Sequence, residues 1–292
     1  MKFPWSMYNE LKCGRRNTLQ VFITNKCNLR CEGCFARNII SGDDKHISLP
    51  EYRKVVSKFI AKGGKQINLL GGEPLLHPEL REIIGINKAN RIKTTIYTNG
   101  TSESFSPYIS SDFDGVKLRV AIYSYRDGGK RCVDIPENAP RFDANFMVSA
   151  KTTLSDVLHS AERCEYMYNC KVFFISSIRE LDNERKEFFD DTKLTMPLLQ
   201  YKELVHKFLY KYEGNMEIHV SKRGVFESTT TVAEHFCRFA NYFIGGKIIQ
   251  CPYDVVNKKF KYDYRFGVRN CQHSNSCLMS KVIYKRKSNE DI

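Results

Sequence analysis

The chain of 292 residues has no unbroken run of about 18 apolar residues, so no transmembrane helix and no membrane partner are expected. Its start, Met1-Lys2-Phe3-Pro4-Trp5-Ser6, lacks the apolar core and small-residue cleavage site of a secretory signal, and the chain is read as cytoplasmic. No internal repeat, low-complexity tract or long linker interrupts it. Acidic residues are scarce, 33 against 46 basic ones, which leaves a net charge of +13. Such a surplus favours acidic partners. No nucleic-acid-binding motif with interleaved aromatics accompanies it, so a nucleic-acid partner is not favoured over a solvated basic surface. The basic residues cluster at Lys258, Lys259 and Lys261 and in a tail from Lys281 to Lys287.

Histidine is sparse as well, and that matters beside the cysteines. Eleven cysteines in a reducing compartment point to metal or redox chemistry rather than disulfides. Three of them, Cys27, Cys31 and Cys34, are spaced C-x3-C-x2-C in the run Thr24-Asn25-Lys26-Cys27-Asn28-Leu29-Arg30-Cys31-Glu32-Gly33-Cys34-Phe35. Thiolates are the usual protein ligands of iron–sulfur clusters, and three of them leave one iron of a four-iron cube open. A zinc site normally completes four donors, and the next histidine, His46, lies well beyond Cys34.

Hydrophobic residues make up 42% of the chain, enough for a sizeable core. Strand-like and helical runs alternate, the pattern of a parallel sheet with crossover helices. Strands are expected at Thr18 to Thr24, Gln66 to Leu70, Lys93 to Thr98, Val116 to Tyr123, Asn145 to Ser149, Lys171 to Ser176 and Met216 to Val220. Helices are expected at Leu49 to Lys62, with Ser48 and Glu51 forming a cap, and at Glu79 to Ala89, Leu154 to Cys164 and Leu199 to Tyr212. The stretch Arg126 to Arg141 has no clear period and is read as a loop near the mouth of a barrel.

The cysteine loop follows a strand, and two further motifs stand at later strand ends: Gly71-Gly72-Glu73-Pro74 and Thr98-Asn99-Gly100. On these three motifs the chain resembles the radical S-adenosylmethionine (radical SAM) enzymes. The resemblance implies an α/β fold, a partial (β/α)6-type barrel over 18–235, after an N-terminal extension of residues 1–17. It also implies a [4Fe–4S] cluster on Cys27, Cys31 and Cys34, with its open iron chelating SAM. Gly71, Gly72, Glu73 and Pro74 would hold the methionine end, and Thr98, Asn99 and Ser124 the remainder. Family members often carry an aromatic residue before the third cysteine to cover the adenine. Here that position is Gly33, and Phe35 is the nearby aromatic.

From Cys237 onward the cysteines reappear, at Cys237, Cys251, Cys271 and Cys277, with Gly246 completing a C-x8-G-x4-C piece. This resembles the opening of the auxiliary-cluster extensions (SPASM or twitch type) of radical SAM enzymes, in which G-x4-C lies on a β-hairpin. Four cysteines imply one auxiliary [4Fe–4S] cluster over 236–292. The close C-x2-C pair of the full form is replaced by Cys271-x5-Cys277, with His273 between. Zinc, or no metal, stays open for these four. Cys13, Cys132, Cys164 and Cys170 have no partner pattern, and the last two read as small buried hydrophobes.

The activity implied is reductive cleavage of SAM to a 5′-deoxyadenosyl radical that abstracts hydrogen from substrate. An auxiliary cluster implies net oxidation, in peptide maturation or in dehydrogenation of a sugar or other alcohol. A flavodoxin- or ferredoxin-type donor would supply the electron. No leader-peptide-binding domain is evident before Thr18. Two other classes stay open: a nucleic-acid-binding or nucleic-acid-modifying iron–sulfur protein, and a non-catalytic scaffold.

Overall fold

The structure is a computed structural model and describes residues 4–9, 18–31, 34, 44–123, 135–178, 196–221, 241–244, 246–249 and 281–287. Its elements are β1 (Trp5–Asn9), β2 (Thr18–Thr24), α1 (Leu49–Ala61), β3 (Gln66–Gly71), α2 (Leu80–Ala89), β4 (Lys93–Thr98), α3 (Ser102–Phe105), β5 (Val116–Tyr123), β6 (Phe142–Val148), α4 (Leu154–Tyr166), β7 (Val172–Ser177), α5 (Leu198–Lys211), β8 (Glu217–Ser221), β9 (Asn241–Ile244), β10 (Lys247–Ile249) and β11 (Lys281–Arg286). No described helix is long and apolar enough to cross a membrane.

The chain divides into two compact units, with the division inside β5. The first draws on described residues of 18–119 and 241–249. Its strands run β10-β9-β2-β3-β4. Strand β2 pairs in parallel with β3 and β9, and β3 in parallel with β4, while β9 and β10 form an antiparallel hairpin. One face of β2 (Leu19, Val21, Ile23) is almost wholly buried, as are Tyr52, Val55, Val56 and Phe59 of α1. Helix α1 starts where expected: the Ser48 hydroxyl accepts the Glu51 N–H, and Pro50 occupies the first turn, where its missing N–H costs nothing. A buried hydrogen-bond chain ties the helices to the sheet. Tyr52 Oη donates to Asn87 Oδ1 at 2.9 Å, and Asn87 Nδ2 donates to Thr94 Oγ1 at 3.1 Å.

The second unit draws on described residues of 4–9, 120–221 and 281–287, and its strands run β6-β7-β8-β11-β1. Strands β6, β7 and β8 pair in parallel. Strand β11 then pairs antiparallel with both β8 and β1. Rings of Phe146, Phe173, Phe208 and Tyr212 stack in succession from β6 through β7 to α5. Helix α4 is capped reciprocally by Thr153 and Asp156, an arrangement that satisfies two orphan N–H groups.

The α/β class and parallel strand pairing agree with expectation, and every expected strand and helix is present. Strand β6 begins at Phe142 rather than Asn145, because Phe142, Ala144, Phe146 and Val148 keep a buried period of two. The basic stretch from Lys281 was expected as a solvated tail, and this is corrected: it is strand β11. Its apolar centre, Val282-Ile283-Tyr284, lies between charged ends, Tyr284 is buried, and Lys285 pairs with Glu217 at 3.2 Å. Trp5, in β1, is 2% exposed, its Nε1 donates to the Leu209 carbonyl, and the Arg286 guanidinium lies over its ring. Cys164 and Cys170 are buried, as expected.

Candidate active site

The site is built in the first unit, where the chain leaves the C-terminal ends of β2, β3 and β4. Cys27, Cys31 and Cys34 lie on the loop after β2, partly exposed and not in disulfides. The Cys34 N–H turns back to the Cys31 carbonyl at 3.4 Å. Among the described residues no three His, Cys, Asp or Glu side chains converge on a single metal ion. A four-iron cube asks for something different, since its thiolates bind separate irons. Three cysteines on one short, partly exposed loop suit that donor set.

The loop after β3 holds the start of this cysteine loop by its backbone. Gly72 N–H donates to the Thr24 carbonyl at 2.8 Å, and Glu73 N–H to the Lys26 carbonyl at 2.7 Å. The glycines are needed for this contact. A Cβ on Gly71, at φ +153°, would fall 2.3 Å from the Thr24 oxygen, and one on Gly72 would fall 2.2 Å from the Lys26 oxygen. It is the chain's own backbone that approaches these two glycines. On the other side, Asn25 N–H donates to the Lys45 carbonyl and Ile47 N–H to the Ile23 carbonyl, so residues 44–47 brace the same strand end.

Glu73 is completely buried. Its Oε1 accepts the Leu75 N–H at 3.0 Å, opening a short 3-10 turn at Pro74, and its Oε2 accepts the Asn99 N–H at 2.6 Å. Burial pushes its carboxyl up to about 7, against the opposing pull of the Asn99 and Leu75 N–H groups and the Thr98 hydroxyl. Thr98 also accepts the Gly100 N–H at 3.1 Å, and Gly100 turns the chain at φ +70°. His77 serves the scaffold. Its ring bonds the Ile47 carbonyl and accepts the Glu79 N–H, and burial holds its pKa below the usual value.

A group of residues not singled out by motif completes the assembly. Asn28, next to Cys27, accepts from Asn99 Nδ2 at 2.8 Å and donates to Thr101 Oγ1 at 3.0 Å and Glu103 Oε2 at 2.9 Å. Asn99 Oδ1 accepts in turn from the Thr101 N–H and the Ser104 hydroxyl, both at 3.1 Å. The available signal was position alone: short polar side chains directly after a cysteine and after Asn99-Gly100. Phe35, Ser124, Cys237, Cys251, Cys271 and Cys277 lie outside the described residues. The β9–β10 hairpin turns at Gly246, φ +79°, where the G-x4-C resemblance places a hairpin.

Residues 21–116 match the family model described as the Radical SAM superfamily. The chain carries a radical SAM domain. That match spans the cysteine loop, the Gly71-Gly72-Glu73-Pro74 turn and the Thr98-Asn99-Gly100 turn. Among curated relatives, the GTP 3′,8-cyclase of Clostridium perfringens (strain SM101 / Type A) is 29% identical over 157 residues, covering 52% of this chain and 44% of the relative. A probable GTP 3′,8-cyclase of Methanocaldococcus jannaschii is 41% identical over 92 residues, 30% of each chain. The chain thus spans less than half the length of these relatives. Among solved structures, Streptococcus suis SuiB bound to its precursor peptide SuiA superposes with a TM-score of 0.64 at 14% identity, covering 85% of this chain and 62% of that one. SuiB bound to S-adenosylmethionine gives 0.60 at 16% identity, covering 80% and 60%. At these identities the likeness is one of fold.

Proposed function

We propose that the protein is a radical SAM enzyme that cleaves SAM reductively and oxidises its substrate. The observation that carries this reading is the linkage of the three motif loops after β2, β3 and β4 by direct hydrogen bonds. The cysteine loop is fixed on Gly72 and Glu73, and Glu73 is fixed on Asn99. Cys27, Cys31 and Cys34 would hold the [4Fe–4S] cluster. The turn from Gly71 to Pro74 would present its backbone to the SAM methionine group, and Thr98, Asn99, Ser124 and Phe35 would hold the remainder of SAM. When bound, the cluster and SAM supply a 5′-deoxyadenosyl radical that takes a hydrogen atom from substrate, and a second cluster supplies an exit for the remaining electron.

Cys237, Cys251, Cys271 and Cys277, in an extension over 236–292, would hold that second cluster. The hairpin at Gly246 supports this assignment. A ferredoxin- or flavodoxin-type protein would deliver the electron, in the reducing cytoplasm where such thiols persist.

A peptide substrate is favoured by the fold likeness to SuiB, which was solved with a precursor peptide. A nucleotide is the second reading, favoured by relatives named GTP 3′,8-cyclase and by the net charge of +13. The test is anaerobic reconstitution with iron and sulfide, followed by SAM and dithionite. Formation of 5′-deoxyadenosine is expected, and its absence from iron-loaded protein overturns the proposal. Stimulation by peptides but not GTP selects the first substrate class; the reverse selects the second.

A further inference from the structure

The side chain of Asn28 is committed on every side. Its Oδ1 accepts from Asn99 Nδ2, and its Nδ2 faces Thr101 Oγ1 and Glu103 Oε2. A carboxylate can only accept, so Glu103 fixes which end of the amide points at it. Asn28 follows Cys27 directly, whereas all its partners come from the turn after β4 and the start of α3. Asn99, its nearest partner, is bonded through its backbone to Glu73, whose own N–H holds Lys26. The result is a closed circuit: Lys26 to Glu73 to Asn99 to Asn28, and back through Cys27. The first link is made by backbone alone. The link from Asn99 to Asn28 is made by side chains alone, so substitution can remove it without touching a cysteine or a glycine.

From this circuit we infer that Asn28 is a positioning residue, which sets the cysteine loop, and with it the open coordination site of the cluster, at the height of the turn that receives SAM. The inference rests on the radical SAM reading above. In this role Asn28 acts through the orientation of Cys27, its neighbour in the chain, and not as a ligand. The Asn28–Glu103 bond is charge-assisted and exposed, so reversing its polarity should be felt at the SAM site and should be repairable from the partner's side.

The experiment is a double-substitution cycle in the full chain, reconstituted without oxygen, with SAM and dithionite as probes. Asn28→Asp sets two carboxylates against each other where one hydrogen bond stood. Glu103→Gln then restores a donor facing an acceptor, with the bond running the other way. For Asn28→Asp we expect SAM affinity by equilibrium dialysis to fall about tenfold, the size of one lost charge-assisted bond. The change that SAM causes in the electron paramagnetic resonance spectrum of the reduced cluster should shrink with it. The double variant should return to within about twofold of Glu103→Gln alone. If Asn28→Asp instead loses iron, recovery of iron in the double variant is the expected result. Wild-type behaviour of Asn28→Asp overturns the inference, and so does a defect that Glu103→Gln leaves unrepaired. Failure of the wild-type protein to bind or cleave SAM overturns the functional reading instead.

Discussion

Glu73 accepts two backbone N–H groups from different loops while fully shielded from water, and burial raises its carboxyl to about 7 from an ordinary 4.5. A carboxyl that binds its proton more tightly folded than unfolded stabilises the fold below the unfolded value. That contribution is lost as pH rises through the folded value. Between about pH 4.5 and 7 the protein should therefore lose about 3 kcal/mol of stability on account of this one group. Glu73→Gln cannot titrate and should flatten that part of the curve. Thermal unfolding of both proteins at pH 5 and pH 8 measures the difference, and parallel pH dependence would refute the assignment. The motif pointed to Glu73 as an acceptor, but not to the donors it serves. An acceptor for a ligand ammonium and an acceptor for the chain's own amides look alike in one dimension. Asn28 was illegible for a related reason, because its partners lie more than 70 residues away along the chain.

At the scale of elements, the contact between the β3 turn and the loop after β2 predicts that Gly72→Ala loses iron although all three motif cysteines remain. The added Cβ would meet the Lys26 carbonyl at 2.2 Å, and a backbone atom cannot swing aside as a side-chain tip can. Iron per chain after reconstitution should fall by at least half, while Gly85→Ala, which meets nothing within 4 Å, should leave it unchanged. The repeating strand–helix pattern was readable because each element has one apolar face with its own period, as in Leu19, Val21 and Ile23 or Tyr52, Val55, Val56 and Phe59. Strands β1 and β11 were missed for the opposite reason. Three charges among the six residues of β11 and the short length of β1 left neither with a readable period, and they form strands by pairing with each other. Trp5→Ala should cost about 3–5 kcal/mol by urea unfolding, since it empties a buried site and orphans the Leu209 carbonyl.

For the whole molecule, the proposed pair of clusters makes a counting prediction. Wild-type protein should carry about eight irons, and Cys27→Ala, Cys31→Ala and Cys34→Ala together should leave about four while abolishing SAM cleavage. Survival of cleavage in that variant would remove the basis of the proposed function. The way the second unit is put together has a consequence for synthesis. Strand β1 precedes every other described strand in the chain, yet β11, with which it pairs, is made after all of them. Until then the Trp5 ring lacks its Arg286 partner, and the outer edge of β8 has no β11 to cover it. The nascent chain must keep β1 in reserve while all the described strands between it and β11 are made. A ribosome stalled before Lys281 should therefore display a polypeptide in which β1 is still open to chaperones and proteases.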